Sequence, residues 1–99
     1  MANITNVIIY HNLTNRFIQL LYAVNNIEEK YLKSLGKNIS RIRRFNNFSQ
    51  LDICAIISME KSNLSSIENG RQNPTTLTLK KIADAIGVEV KDFFDFYNS

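Results

Sequence analysis

The sequence predicts an all-α protein, and three observations carry that expectation. From Leu35 onward, apolar residues recur three and four apart, the period of a helix with one buried face. Residues suited to starting helices, Ser49 and Thr75, stand just ahead of these runs. Residues suited to ending them, Asn69-Gly70 and Gly87, stand just behind, because Asn and Gly accept the left-handed conformation that closes a helix. A chain of 99 residues with 44% hydrophobic content suits a single small domain with a modest core.

Residues 1–34 read as an N-terminal extension to a domain over residues 35–99. Val7-Ile8-Ile9-Tyr10 is β-branched and aromatic and suits a short strand. Asn12 or Thr14 is placed to cap a helix carrying Phe17, Ile18, Leu20, Leu21, Tyr22 and Val24, which spread over more than one stripe and imply contact on two sides. Asn25-Asn26 reads as a break, and Ile27 to Lys33 as a further helical turn or two, able to run on into the helix that follows. Three roles fit this extension: a dimerisation element, a cover over the rest of the chain, or a poorly ordered arm.

In the domain, Leu35, Ile39 and Ile42 fall at i, i+4 and i+7 and share one face of a first helix ending near Phe45. Asn46-Asn47 follows as a loop. Ser49 caps a second helix whose apolar face holds Ile53, Cys54 and Ile57. The rhythm is interrupted at Ser58 and Met59 and resumes at Leu64 and Ile67 on a third helix that closes at Asn69-Gly70. Between those anchors lie Lys61, Ser62, Asn63, Ser65 and Ser66, all able to hydrogen-bond. Asn73-Pro74 is a loop, since Pro removes a donor and pushes its predecessor into extended geometry. Thr75 caps a helix with Leu79, Ile82, Ala83 and Ile86 inward, and Val88, Val90, Phe93 and Phe94 form a last short helix.

Two short helices joined by a tight turn over Phe48 to Pro74 resemble the helix-turn-helix of the phage-repressor/Cro-like family, also called the xenobiotic-response-element family, of transcriptional regulators. The matching residues are Arg43, Phe48-Ser49-Gln50, Leu64-Ser65, Ile67-Glu68-Asn69-Gly70 and Asn73-Pro74. They continue through Thr78-Leu79, Ile82-Ala83, Ala85-Ile86-Gly87-Val88 and Phe93-Phe94. The resemblance covers about Leu35 to Phe94 without gaps. It implies a five-helix lambda-repressor-like DNA-binding domain.

The resemblance also implies roles, residue by residue. Lys61, Ser62 and Ser66 match positions that reach base edges in the major groove of double-stranded DNA. Ser49, Gln50, Ser65, Asn69 and Arg71 match backbone contacts, and Asn63 is a peripheral candidate. Arg43 and Glu68 match a structural ion pair, in which a planar guanidinium grips a carboxylate with two hydrogen bonds. Cys54 stands where the family has a core alanine, Asn47 where it often has Gly, and Ser58 where it usually has a turn glycine. Glu60 opens the third helix where Ser, Thr or Asp is usual, and its charge would repel a phosphate. Leu51, Ala55 and Ile56 fall where the family is polar, which implies that something covers that face. We expect Leu51 and Ile56 to pack against Phe17 to Val24, with Phe17 and Leu21 prominent. Phe96 and Tyr97, beyond the match, are further interface candidates.

Charge agrees with a polyanion partner. The net charge is +3 and the pI about 9.2. The excess sits over residues 35–75, where Lys37, Arg41, Arg43, Arg44, Lys61 and Arg71 oppose Asp52, Glu60 and Glu68. One cysteine rules out an internal disulfide, and the single histidine, His11, has no metal-ligand neighbours in sequence. No cofactor, metal site or enzyme arrangement is expected. Nor is membrane association, since no apolar run approaches the roughly 20 residues of a span; the cytoplasm is the expected location. The reading is a homodimeric, sequence-specific regulator, simple and repressor-like. The alternative is an antitoxin-like module whose apolar outer face binds a protein partner, with DNA binding secondary or lost.

Overall fold

The computed structural model describes residues 4–96, with side chains from residue 11. The described chain is all-α: four α-helices and a terminal 3-10 turn, rather than five α-helices. They are α1 (Ile4–Phe45), α2 (Gln50–Ile57), α3 (Lys61–Glu68) and α4 (Thr76–Ile86), and the turn spans Val90–Phe94. The fifth segment holds five residues, too few for a sustained α-helical ladder.

The largest departure from expectation is α1. A strand at Val7-Tyr10, a cap at Asn12 or Thr14 and a break at Asn25-Asn26 were expected, yet all lie inside one helix of 42 residues. No Gly or Pro occurs between Ile4 and Leu35. Each Asn costs only a few tenths of a kcal/mol in a helix and keeps its backbone donor, so the ladder continues. The molecule is accordingly long, with extents of 67 × 29 × 18 Å.

Only the C-terminal part of α1 joins the core. Leu35 and Ile39 are buried with Ile53, Cys54, Leu64, Ile67, Leu79, Ile82, Ala83, Ile86 and Phe93. Every residue from 11 to 30 is exposed. The expected cover over α2 is therefore not made within the chain. Leu51 and Ile56 are 63% and 57% exposed, and Phe17 and Leu21 are open as well. An unbroken helix has no hinge at which to fold back.

Local chemistry sets the helix boundaries. The Ser49 hydroxyl accepts from Asp52 N at 3.0 Å, and Ser49 N donates to Asp52 Oδ2 at 2.8 Å, a reciprocal capping box. Ser58 closes α2 in the left-handed region at φ 55°, as Asn47 does in the preceding loop at φ 66°. Thr75 caps α4 through Thr78 N at 3.1 Å, and Gly87 ends it. Buried Asn38 fastens the 3-10 turn, donating to the carbonyls of Asp92 and Phe93 at 3.0 and 2.8 Å. Its own oxygen accepts from Arg41, at 2.6 Å from Nη2.

A candidate nucleic-acid interface

α2 and α3 are joined at Ser58, Met59 and Glu60 and form a helix-turn-helix against the C-terminal part of α1. α3 turns Leu64, Ile67 and Glu68 inward. Its outer side carries Ser62 and Ser66, one turn apart, with Lys61 and Ser65 beside them. Lys61 and Ser62 are exposed, and Asn63, Ser65 and Ser66 half-buried. The face is thus polar, hydrogen-bonding and open at its N-terminal end. Glu60 is the N-cap residue of α3, exposed and without a side-chain cap bond.

Beneath this face lies a polar joint. Arg43 Nε donates to Glu68 Oε2 at 2.7 Å and Nη2 to Oε1 at 2.9 Å, both buried. Arg43 Nη1 donates to the Phe48 carbonyl at 2.8 Å. Gln50 Nε2 donates to Glu68 Oε1 at 3.0 Å. The Glu68 carboxylate therefore ties α1 and α2 to the end of α3, and the Arg43 guanidinium ties in the loop before α2. The hydrogen bond to Glu68 holds the Arg43 guanidinium above its ordinary pKa, so the guanidinium stays charged. Burial pushes the Cys54 thiol up, which keeps it an unreactive part of the core.

Gln50 had been assigned a phosphate contact by resemblance alone. The structure has its side-chain amide already donating to Glu68, while Gln50 N lies in the first turn of α2, where backbone donors lack helical partners. Ser49 is likewise engaged in its cap. The Asn69 amide donates to the Ser65 carbonyl at 2.9 Å and to its hydroxyl at 3.3 Å. Arg71 is exposed just past α3.

Two cations enter the site that the resemblance did not single out. Lys37 and Arg44 line an open cleft of about 430 Å³ together with Ser40, Arg43, Gln50, Glu68 and Asn69. Both are exposed and stand one turn either side of Ser40 on α1. The sequence held a signal for them in the basic run from Lys37 to Arg44, but not which helix face it occupied. Of the interface candidates, Phe96 is half-buried, with its ring 5.6 Å from that of Tyr31 in an edge-on contact. Tyr97 lies outside the described residues.

The helix-turn-helix domain family matches residues 36–99. The HTH-type transcriptional regulator y4dJ of Sinorhizobium fredii is 41% identical over 56 residues, 57% of this chain and 73% of that protein. The immunity repressor protein of Bacillus phage phi105 is 32% identical over 57 residues, covering 58% of this chain but only 40% of the repressor. Among solved structures, the restriction-modification controller protein C.AhdI from Aeromonas hydrophila superposes with a TM-score of 0.61 at 22% identity, over 64% of this chain and 96% of that one.

Proposed function

The chain belongs to the helix-turn-helix family and is a DNA-binding transcriptional regulator, and from that premise we propose that it reads duplex DNA sequence-specifically as a homodimer, acting as a small repressor. In this reading α3 enters the major groove, and Lys61, Ser62 and Ser66 meet base edges. Gln50 N, Asn69 and Arg71 hold phosphates, with Ser49 and Ser65 at the margin and Asn63 peripheral. Lys37 and Arg44 add cationic contacts from the cleft beside Gln50 and Asn69.

The observation that supports this most is the rigid seat of α3. Its outer side is polar and open, while Glu68 at its inner end is held by Arg43 and Gln50. A reading helix needs that combination, because base contacts discriminate only when the helix cannot shift. With one Lys and two Ser at about 1–3 kcal/mol each, direct readout by one copy is modest, which favours two copies on a two-part site.

Selection from a randomised duplex library at two salt concentrations tests the reading. The expected result is a palindromic motif bound with steep salt dependence. Lys61→Ala is expected to relax preference at one base position, whereas Lys37→Ala weakens all sequences alike. Equal, sequence-independent losses from both would refute this division of roles. A second reading, a protein partner on α2, is favoured by the exposure of Leu51 and Ile56. Weak, motif-free binding lost at moderate salt would select it.

A further inference from the structure

α1 carries an apolar stripe whose spacing is itself informative. Leu13, Phe17, Leu20, Val24, Ile27 and Tyr31 alternate by four and three residues without interruption. That is the 3.5-residue repeat by which two helices pack side by side. All six are 40–66% exposed, and only Tyr31, whose ring meets those of Phe94 and Phe96, finds aromatic neighbours among the described residues. Asn12, Asn15, Gln19, Asn26 and Lys33 lie on the other side of the helix, together with two exposed apolar residues outside the stripe, Ile18 and Tyr22. A helical segment whose apolar face is left in water lacks the packing that normally stabilises it.

We infer that this stripe pairs with the same stripe of a second copy, antiparallel, about an axis at residue 22. The inference rests on the dimeric reading above and supplies its geometry. Orientation follows from the phase of the helix. Counting about 3.6 residues per turn, the stripe lies on the same side of α1 as the core residues Leu35 and Ile39. Each copy's own domain therefore sits at the end of its stripe, on the stripe side. Parallel pairing would drive the two domains into one space; antiparallel pairing sends them to opposite ends.

The spacing also closes on itself. Leu20 falls opposite the partner's Val24, Phe17 opposite the partner's Ile27, and Leu13 opposite the partner's Tyr31, so all six residues are used. Leu21 and Ala23, flanking the axis, each meet their own counterpart and widen the apolar contact. Arg16 and the partner's Lys30 share a solvated flank, a like-charge contact that adds little in water. By this register the partner's helix reaches the domain near the partner's Leu13. An open groove of about 550 Å³ lies where α1 leaves the domain, with Ile27, Tyr31, Leu35, Pro74, Leu79 and Phe94 in its wall.

The area suffices. Leu21 and the six stripe residues expose roughly 100 Å² each, or about 700 Å² per copy, close to the ~800 Å² per partner of a stable interface.

Sedimentation of the full chain without DNA, with cysteine cross-linking, tests this. The wild type is expected to be a dimer. Leu20→Glu buries a charge at the seam and is expected to weaken the dimer at least about 100-fold, leaving the helical circular dichroism of the domain in place. For orientation, Phe17→Cys and Ile27→Cys are made separately in a Cys54→Ala background and mixed. A disulfide between the two different chains is expected, and not one between two Phe17→Cys chains. A monomeric wild type overturns the pairing and the dimeric reading, without touching DNA binding by the domain. A dimer that survives Leu20→Glu overturns the stripe. Cross-links between identical Phe17→Cys chains overturn the antiparallel order.

Discussion

Single side chains decide how firmly α3 is held, and Arg43 decides most. Its guanidinium binds Glu68 twice and the Phe48 carbonyl once, all at 2.7–2.9 Å. Arg43→Ala would take the guanidinium away and leave the nearly buried Glu68 carboxyl group with Gln50 as its hydrogen-bond donor. We expect a loss of about 3–5 kcal/mol, read from urea unfolding, because an orphaned buried charge costs more than the pair gains. Ser58 offers the opposite sign. It sits at φ 55°, where a Cβ is penalised by roughly 1 kcal/mol. Ser58→Gly should raise stability by about that much in the same experiment. The position was legible in the sequence as a Ser standing where the fold wants a Gly. The ion pair was legible too, but only through resemblance, since no local pattern links residues 25 apart. The bond from Gln50 to Glu68 was not legible, because a surface glutamine looks the same in sequence whether it faces phosphate or protein.

At the scale of helices, α1 and α3 cross with their backbones close together at Gly36. A Cβ on Gly36 would collide with the Ile67 carbonyl oxygen and lie 2.6 Å from that of Glu68. Gly70, at φ 72°, meets the α1 backbone from the other side, where a Cβ would lie 2.6 Å from Lys33 Cα. Propensity alone says that Gly36→Ala gains about 1 kcal/mol in mid-helix. The collision is with backbone, which cannot rotate away, so the steric cost wins. We expect Gly36→Ala to lose about 1–3 kcal/mol in thermal unfolding. Helices α2, α3 and α4 were readable from their caps and apolar spacing, and Ser49, Thr75 and Gly87 stand where those signals put them. The terminal 3-10 turn and α1 were misread for opposite reasons. The last segment was too short for a full α-helix. In α1, weak helix formers such as Asn25 and Asn26 read in sequence as a break, but each keeps its backbone donor and the helix runs through them.

Over the whole molecule, the division between extension and domain falls inside a helix, not in a linker. Residues 11–30 are exposed, so shortening the chain to begin at Glu28 removes none of the described core residues. The shortened chain is expected to unfold with a free energy independent of protein concentration. The full chain's unfolding midpoint should rise with concentration, as linkage requires of a dimer. Calorimetry at two concentrations a hundredfold apart checks both. The extension was the part least legible in sequence, because its apolar residues answer to no partner in the same chain. In the proposed pairing they are organised by the same face of a second copy.

The unbroken course of α1 has a mechanical consequence. A flexible tether would let whatever grips the far end of this helix leave the DNA-facing end undisturbed. A stiff rod does not. Its one end lies in contact with the last turn of α3 through Gly36, with no side chain between to yield. Its other end stands beyond the body of the protein. A tilt imposed at the tip would reach α3 as a rotation about the close contact at Gly36.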